Sequence, residues 1–450
     1  MRSWKKQKRQ RLKKWHGIII LIVLLFVFFR ISGHHKLKKQ LQILKDQGYP
    51  IALEELEQSL RLPKGTRNAA DIYKRAFASY TEWDKEDRKP VPIIGKADPP
   101  ARTQPMNPET RQLVEKFLSD NKQTLSLLYE AADVEHCRYK IDLTKPWSYQ
   151  DLPPEYKGAR SCISLFSLEA LILCENPDPN RMLESIRASL ALADSVDVPL
   201  LNHHLFRNGL RGGTYRNIER FLNRLSPTDD FLLTITERLN AYDYHEEFRQ
   251  AMIGEQCRIL HTFQQPVVEI VDQVESRDVL FRLKLVLRKI SGSYDKVVLE
   301  YIRTMQDCFN ALDLPENKRM AVFESIQKRG YKWGGSITQK LMRGLGLDLR
   351  FEFWRLAHLR VTQTGLAIER YRLAEGRLPE SLKDLVPAYM QAVPLDPYDG
   401  RSLKYRKLKT GYVVYSIGFD MTDEGGAERG RGRDTQGRAL PWDITFIMER

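Results

Sequence analysis

Gly17-Ile-Ile-Ile-Leu-Ile-Val-Leu-Leu-Phe-Val-Phe-Phe29 is a run of thirteen apolar residues without a charge, and where it resides decides how the rest of the chain is organised. The usable span from Trp15 to Ile31 is 17 residues. At about 1.5 Å rise per residue it reaches roughly 25 Å, enough for a thin bilayer with Trp15 and Arg30 at its edges. Arg2, Lys5, Lys6, Lys8, Arg9, Arg11, Lys13 and Lys14 precede it, Arg30, Lys36, Lys38 and Lys39 follow, and no acid occurs before residue 40. A cationic flank ahead of an apolar helix stays in the cytoplasm. The reading is a basic cytoplasmic flank at 1–16, a transmembrane anchor at 17–31 and an exported body. A cleaved secretory signal ending near Ile31-Ser32-Gly33 is the alternative, but the long basic region and the absence of an A-x-A site favour the uncleaved anchor.

The same residues dispose of the net charge. The chain carries +14, of which the twelve cations above supply nearly all, so the body is close to neutral. A surface that neutralises several phosphates is not required, and nucleic acid is not an expected partner. The expected partners are the inner membrane and an envelope protein that the sequence does not identify. Cys137, Cys162, Cys174, Cys257 and Cys308 show no C-x-x-C and no zinc spacing. They read mostly as buried apolar residues, with an odd one unpaired in an oxidising compartment.

The body from 40 to 330 reads as an irregular all-α array. Ile51 to Leu60 and Asn68 to Tyr80 have helical spacing, with Leu53, Leu56 and Leu60 on one stripe and Ile72, Ala76 and Tyr80 on the next. Residues 84–107, rich in proline from Pro90 onward, form an exposed loop, and 137–156 is a second irregular stretch around Pro146, Trp147, Pro153 and Pro154. Pro108 to Ala132, Arg181 to Ser195 and Asn217 to Leu225 are expected helices, and Ser226-Pro227-Thr228-Asp229 is read as a start with Ser226 as the cap. No fixed repeat period appears. Glycines and cations between Lys328 and Arg350 suggest a boundary before a final module.

That module, 351–450, is expected to be α+β. Phe351 to Glu375 is a long helix stopped by Gly376 and Pro379, and Glu380 to Val386 a short one. Ser402 to Arg406, Tyr412 to Ile417 and Asp443 to Met448 read as strands, giving a helix on a small antiparallel sheet.

Val361-Thr-Gln-Thr-Gly-Leu-Ala-Ile-Glu-Arg-Tyr-Arg-Leu-Ala-Glu-Gly-Arg-Leu-Pro379, Val393-Pro-Leu-Asp-Pro-Tyr-Asp-Gly400 and Gly411-Tyr-Val-Val-Tyr-Ser-Ile-Gly-Phe-Asp420 together resemble the C-terminal domain of the major pseudopilin of type II secretion. The resemblance implies a filament-stem helix, an Asp-Pro turn into a sheet, and a calcium-binding loop after the second strand. By position it implies Ser416, Asp420, Asp423, Asp434 and Asp443 as calcium ligands. A pseudopilin's apolar helix runs directly into its globular domain and carries a glutamate five residues after the processed glycine, whereas here Gly17 is followed at that spacing by Ile22. The apolar run is therefore read as a tether. Asn68-Ala69-Ala70-Asp-Ile-Tyr73, Cys137-Arg138-Tyr139 and Ala188 to Asp194 resemble uncharacterised, membrane-anchored helical proteins of bacterial envelopes that end in the same module, which implies an architecture and no activity.

The remaining chemistry is sparse. Ser416, Asp420, Asp423, Glu424, Asp434 and Asp443 offer hard oxygens that suit calcium, although Asp420-x-x-Asp423-Glu424-Gly425 is not an EF-hand and a solvated acidic loop is the plain alternative. His203 and His204 are adjacent and are expected on different helix faces, one in a core and one at a groove or water. Glu255 reads as a buried carboxylate paired with Arg207 or Arg211, and His245-Glu246-Glu247 as possible acid–base groups. No nucleophile elbow, P-loop or metal triad accompanies them. The function expected is a non-catalytic, membrane-anchored interaction or structural module linked to secretion or pilus-like machinery; an exported hydrolase using carboxylates of the helical domain is the alternative.

Overall fold

A computed structural model describes residues 21, 24, 27, 28, 30–143, 153–273, 279–329, 345–428 and 442–450, with the backbone alone for 272, 273 and 345–348. Most of Gly17–Phe29 lies outside these residues, as do Asp434, Gly330, Gly334, Gly335, Gly344, Pro146 and Trp147. Among the described residues no helix is long and apolar enough to cross a membrane.

The protein is mainly helical with one small three-stranded antiparallel sheet, and it divides into two compact units. One comprises Met1–Ser59, Ile253–Asp313 and Ala321–Gly346; the other comprises Leu60–Met252, Leu314–Met320 and Leu347–Arg450. The boundary expected between 330 and 351 therefore does not isolate the last hundred residues. They share a compact unit with the helices of 60–252, because their helix and sheet are packed and hydrogen-bonded into those helices.

In this larger unit the helices are α1 (Ala69–Ala78), α2 (Pro108–Asp120), α3 (Lys122–Ala132), α4 (Pro154–Leu173), α5 (Pro179–Asp194), α6 (Leu201–Leu222), α7 (Asp229–Asn240) and α8 (Leu345–Glu375). Local chemistry sets most of the starts. Asn68, Asn107 and Asp178 each accept a backbone N–H of the first turn, and proline occupies the first turn of α2, α4 and α5, where its missing N–H costs nothing. The cap of α7 is Thr228, whose hydroxyl accepts the Phe231 N–H at 3.3 Å, not Ser226. Extended backbone at Thr228 leaves Pro227 ahead of the helix.

The single helix expected from Pro108 to Ala132 is two. Asn121 interrupts it, fully buried, with its Oδ1 accepting the Thr81 N–H at 2.8 Å and its Nδ2 donating to Thr81 O and Phe117 O, both at 3.1 Å. Satisfying the backbone at Thr81, just past the end of α1, outweighs continuity of the helix. Around this corner Tyr73, Phe117, Tyr156, Leu165, Phe166 and Leu192 form one core cluster from α1, α2, α4 and α5.

Helix α6 is far longer than the Asn217 to Leu225 segment that its periodicity suggests. It is buried nearly all round, with His203, His204, Arg207, Asn208, Arg211, Thr214 and Asn217 buried among its apolar residues. Polar side chains on every face erase the amphipathic signal that marks a surface helix.

Strands β1 (Lys404–Lys407), β2 (Tyr412–Ser416) and β3 (Ile444–Met448) pair in that order, with Tyr405 opposite Val414 and Val414 opposite Phe446. The short helix expected at 380–386 is a single 3-10 turn, Leu382–Leu385, closed by a capping box between Ser381 and Asp384. The sheet lies against α8 at Gly365, where a Cβ would stand 2.3 Å from the Phe446 ring. Asn223, just past α6, donates to Ile447 O at 2.8 Å and accepts the Glu449 N–H at 2.9 Å. Side chain and backbone thus tie the sheet to the helical array.

In the smaller unit a helix over 30–46 accompanies Leu53–Ser59, Val267–Gln273, Val279–Ser291 and Tyr294–Leu312. Tyr49 stacks on Phe309, and Phe263 meets the rings of Tyr294 and Tyr301 edge to face. Lys45 and Glu55 pair at 2.9 Å. All five cysteines are free; four are buried, Cys137 is half-buried, and burial pushes every thiol up to about 12. None is a poised thiolate at neutral pH.

Candidate functional site

The titratable residues singled out in the sequence are mostly consumed by one another. Both histidines are buried, contrary to the expectation that one would face a groove. His203 Nδ1 pairs with the Tyr156 hydroxyl, and His204 Nε2 lies 2.7 Å from Glu352 Oε2. Helices pack on both sides of α6, so adjacent positions on it are equally enclosed.

Arg207 and Arg211 do not hold Glu255. Arg207 donates to Asp197 Oδ1 at 2.6 Å and Glu247 Oε2 at 3.1 Å. Arg211 reaches Asp194 at 2.7 Å and both Glu247 oxygens at 2.8 and 3.1 Å, with the Tyr242 ring 3.8 Å from its guanidinium carbon. These two cations hold the Glu247 carboxyl below the usual range despite its burial. Glu255 instead pairs with Arg258 one turn on, in the smaller unit. Apart from Arg207 Nε, which is buried without a partner among the described residues, the charges of this network are paired with one another, the character of a structural ion cluster.

A different cluster is not saturated. The last turns of α6, the middle of α8, residues 99–102 and the start of β3 surround a cavity of about 400 Å³, lined among others by Arg102, Arg216, Arg220, Trp354, His358 and Trp442. That size suits a small ligand or a side chain of a partner. Arg102 sits between two carboxylates, donating to Glu219 at 2.6 Å and to both oxygens of Glu428. Arg220 donates to Pro100 O at 3.3 Å. Arg216 makes no hydrogen bond or ion pair among the described residues. Its side chain is exposed to solvent in the cleft, while the protein packed around it draws the guanidinium below its ordinary range.

Beneath it the Trp354 and His358 rings meet at 4.5 Å, one helical turn apart, and neither Trp354 Nε1 nor His358 Nε2 has a hydrogen-bond partner among the described residues. Burial, then the charges of Arg216 and Arg355, pull His358 down to about 3, so its imidazole is neutral at any physiological pH. Arg355 lies 4.0 Å over the Trp354 ring and is drawn down to about 10, first by burial. It fits because Gly209 and Gly212 on α6 present no side chain: a Cβ at Gly212 would stand 2.7 Å from its Nη1. The cations Arg102, Arg216 and Arg220 face the carboxylates Glu219, Glu428 and Asp443, so the cleft is close to neutral as a whole, but Arg216 has no carboxylate in direct contact among the described residues. An acidic or strongly accepting group complements it.

No family model, curated protein or solved structure matches the chain.

Of the expected calcium ligands Asp443 alone is placed on this cleft, and those described do not form one shell. Ser416 is buried, with its Oγ accepting the Gly418 N–H at 3.3 Å. Asp420 accepts the Thr422 N–H at 3.2 Å, and Asp423 accepts from Gly425 N–H and Tyr415 hydroxyl and pairs with Lys404 at 3.0 Å. Asp434 lies outside the described residues. Asp443 is 1 % exposed; its Oδ2 accepts the Gly426 N–H at 2.7 Å, while its Oδ1, like Glu424 Oε2, is buried without a partner among the described residues. Burial first, then the Glu424 charge, pushes Asp443 up to about 6. Among the described residues no three His, Cys, Asp or Glu side chains form a metal-holding group.

Arg216, Trp354 and His358 are not singled out by the sequence. Their only trace there is indirect: Gly209, Gly212 and Gly213 inside one helix mark a close approach without saying by what.

Proposed function

We propose that this is a non-catalytic, membrane-anchored envelope protein that acts as a protein-interaction module. Its N-terminus is cytoplasmic, its single anchor spans residues 17–31 of a bacterial inner membrane, and its body is periplasmic. The pseudopilin-like residues 351–450 connect it to secretion or pilus-like machinery. The helix-on-sheet order of α8 and β1 to β3 supports that resemblance, and the apolar run with its basic flank supports the anchor.

The observation that carries the interaction reading is Arg216, a guanidinium that makes no hydrogen bond or ion pair among the described residues, in a cleft where Arg102 is held by two carboxylates and Arg220 by a backbone carbonyl. The bound group is an acidic side chain of an envelope partner, for which the planar, two-pronged guanidinium is suited. A photo-crosslinking residue in place of Ala101, exposed on the cleft lining, tests it in intact cells. One discrete envelope adduct is expected, lost in Arg216→Ala and kept in part by Arg216→Lys. Arg216 makes no hydrogen bond or ion pair among the described residues, so Arg216→Ala is expected to keep the fold, which circular dichroism checks. No adduct, or adducts indifferent to Arg216→Ala, refutes the reading.

A second feature of the same module is a calcium site. Its support is the pair of unsatisfied buried oxygens, Asp443 Oδ1 and Glu424 Oε2, on the border of the loop where the resemblance implies the ion. Calcium at millimolar concentration raises Tm of the wild type and not of Asp443→Asn if the ion binds there; equal shifts in both proteins refute it.

A further inference from the structure

The smaller unit contains a helix whose faces are reversed relative to an ordinary surface helix. Val279–Ser291, Val-Leu-Phe-Arg-Leu-Lys-Leu-Val-Leu-Arg-Lys-Ile-Ser, has no acidic residue. Phe281 and Leu285 are buried, but Val279, Leu280, Leu283, Val286, Leu287 and Ile290 are exposed, Leu280 at 64 % and Ile290 at 61 %. At about 100° per residue these six fall in an arc of roughly 120°. Lys284 borders the arc on one side and Arg282 on the other, both exposed. An apolar stripe with cations along both margins is the pattern of a helix lying in a membrane interface, where the stems of lysine and arginine follow apolar surface and their heads reach the phosphates.

The place of this helix points to the same occupant. Its end is fastened to the first residues after the apolar run of the anchor. Arg30 Nη1 donates to Ile290 O at 3.3 Å, and His34 lies 3.6 Å from Asp295. Gly292, at φ +70°, admits Arg30 so closely that a Cβ there would stand 2.7 Å from Arg30 Cγ and 3.3 Å from its Cα. Ile290, at that fastened end, belongs to the exposed arc.

We infer that Val279–Ser291 lies flat in the surface of the bilayer that residues 17–31 cross, with Leu280, Leu283, Leu287 and Ile290 among the acyl chains and Arg282 and Lys284 at anionic phospholipid headgroups. This rests on the anchor reading in one respect: the anchor brings the helix to the membrane. The contact sets the unit's height and tilt at the surface, which a single tether alone leaves free.

The experiment uses the full chain in nanodiscs, with an environment-sensitive dye on Leu287→Cys in a Cys137→Ser background, the other four cysteines being buried. In discs containing anionic phospholipid the dye's emission shifts to the blue, is quenched by lipid brominated near the headgroup, and loses access to aqueous iodide. Arg282→Glu with Lys284→Glu restores iodide access in part. A dye open to iodide in anionic discs overturns the inference, as does protection from iodide without bromolipid quenching, which means that protein covers the face. Alkaline carbonate separates this from the anchor: release of the chain refutes the anchor, whereas a retained chain with a water-exposed dye refutes the surface helix alone.

Discussion

Gly365→Ala is expected to destabilise the contact between α8 and the sheet even though it places a better helix former in a helix. The new Cβ would stand 2.3 and 2.4 Å from Phe446 Cε1 and Cδ1, against about 3.5–4.0 Å for an unstrained carbon contact. The ring cannot swing away: Phe446 is 1 % exposed and its backbone is locked opposite Val414 in β2. Overpacking of a filled core costs about 1–3 kcal/mol, and replacing a helix glycine recovers about 1 kcal/mol. An approach of 2.3 Å belongs at the upper end of that range, so the net loss is up to about 2 kcal/mol, which corresponds to amide exchange in β2 and β3 faster by a factor of up to about 30. Hydrogen exchange of the full chain, followed by mass spectrometry, reads it. The same change in a Phe446→Ala background should slow exchange, because the obstructing ring is gone and only the helix gain remains. Unchanged or slower exchange in Gly365→Ala alone would refute the packing argument.

Other consequences are equally open to measurement. Asp443 titrates near 6 in the fold against an ordinary 3.8, so folding favours its protonated form; the associated stability is present below about pH 4 and lost as pH rises through 6. The gap corresponds to about 3 kcal/mol, and Asp443→Asn should remove that part of the pH dependence in denaturant titrations at pH 4 and pH 8. Arg211→Met leaves Glu247 and Asp194 short of a cation in a largely buried network and should cost about 3–5 kcal/mol, measured by urea denaturation. Asn121→Ala strands the Thr81 N–H and C=O and should cost on the order of 1–3 kcal/mol, with the increase in exchange confined to 79–83 and 117–125.

The helices starting near Asn68 and at Pro108 and the three strands were legible because each depends on chemistry within a few residues: a side-chain acceptor, a proline without N–H, an alternation of apolar residues. The helix expected from Arg181 starts two residues earlier, at Pro179 behind the cap Asp178. The cap at Thr228 and the break at Asn121 were misread for the opposite reason. Two neighbouring residues could both cap, and Asn121 breaks a helix only because Thr81 is placed beside it. The pairing of Glu255 was misassigned because an arginine one turn away is indistinguishable in composition from one on another helix.

By itself the sequence determined a mostly helical body after a basic, apolar start, and a closing helix and small sheet. Those features follow from local periodicity and charge order, which a one-dimensional pattern carries. The tertiary structure alone decided that α6 is buried nearly all round, that the last hundred residues belong to the helical unit, that Arg216 has no hydrogen bond or ion pair among the described residues, and that the helix at 279–291 turns most of its leucines outward. Each depends on which distant surfaces meet, and a side chain's burial or charge balance is a property of those meetings.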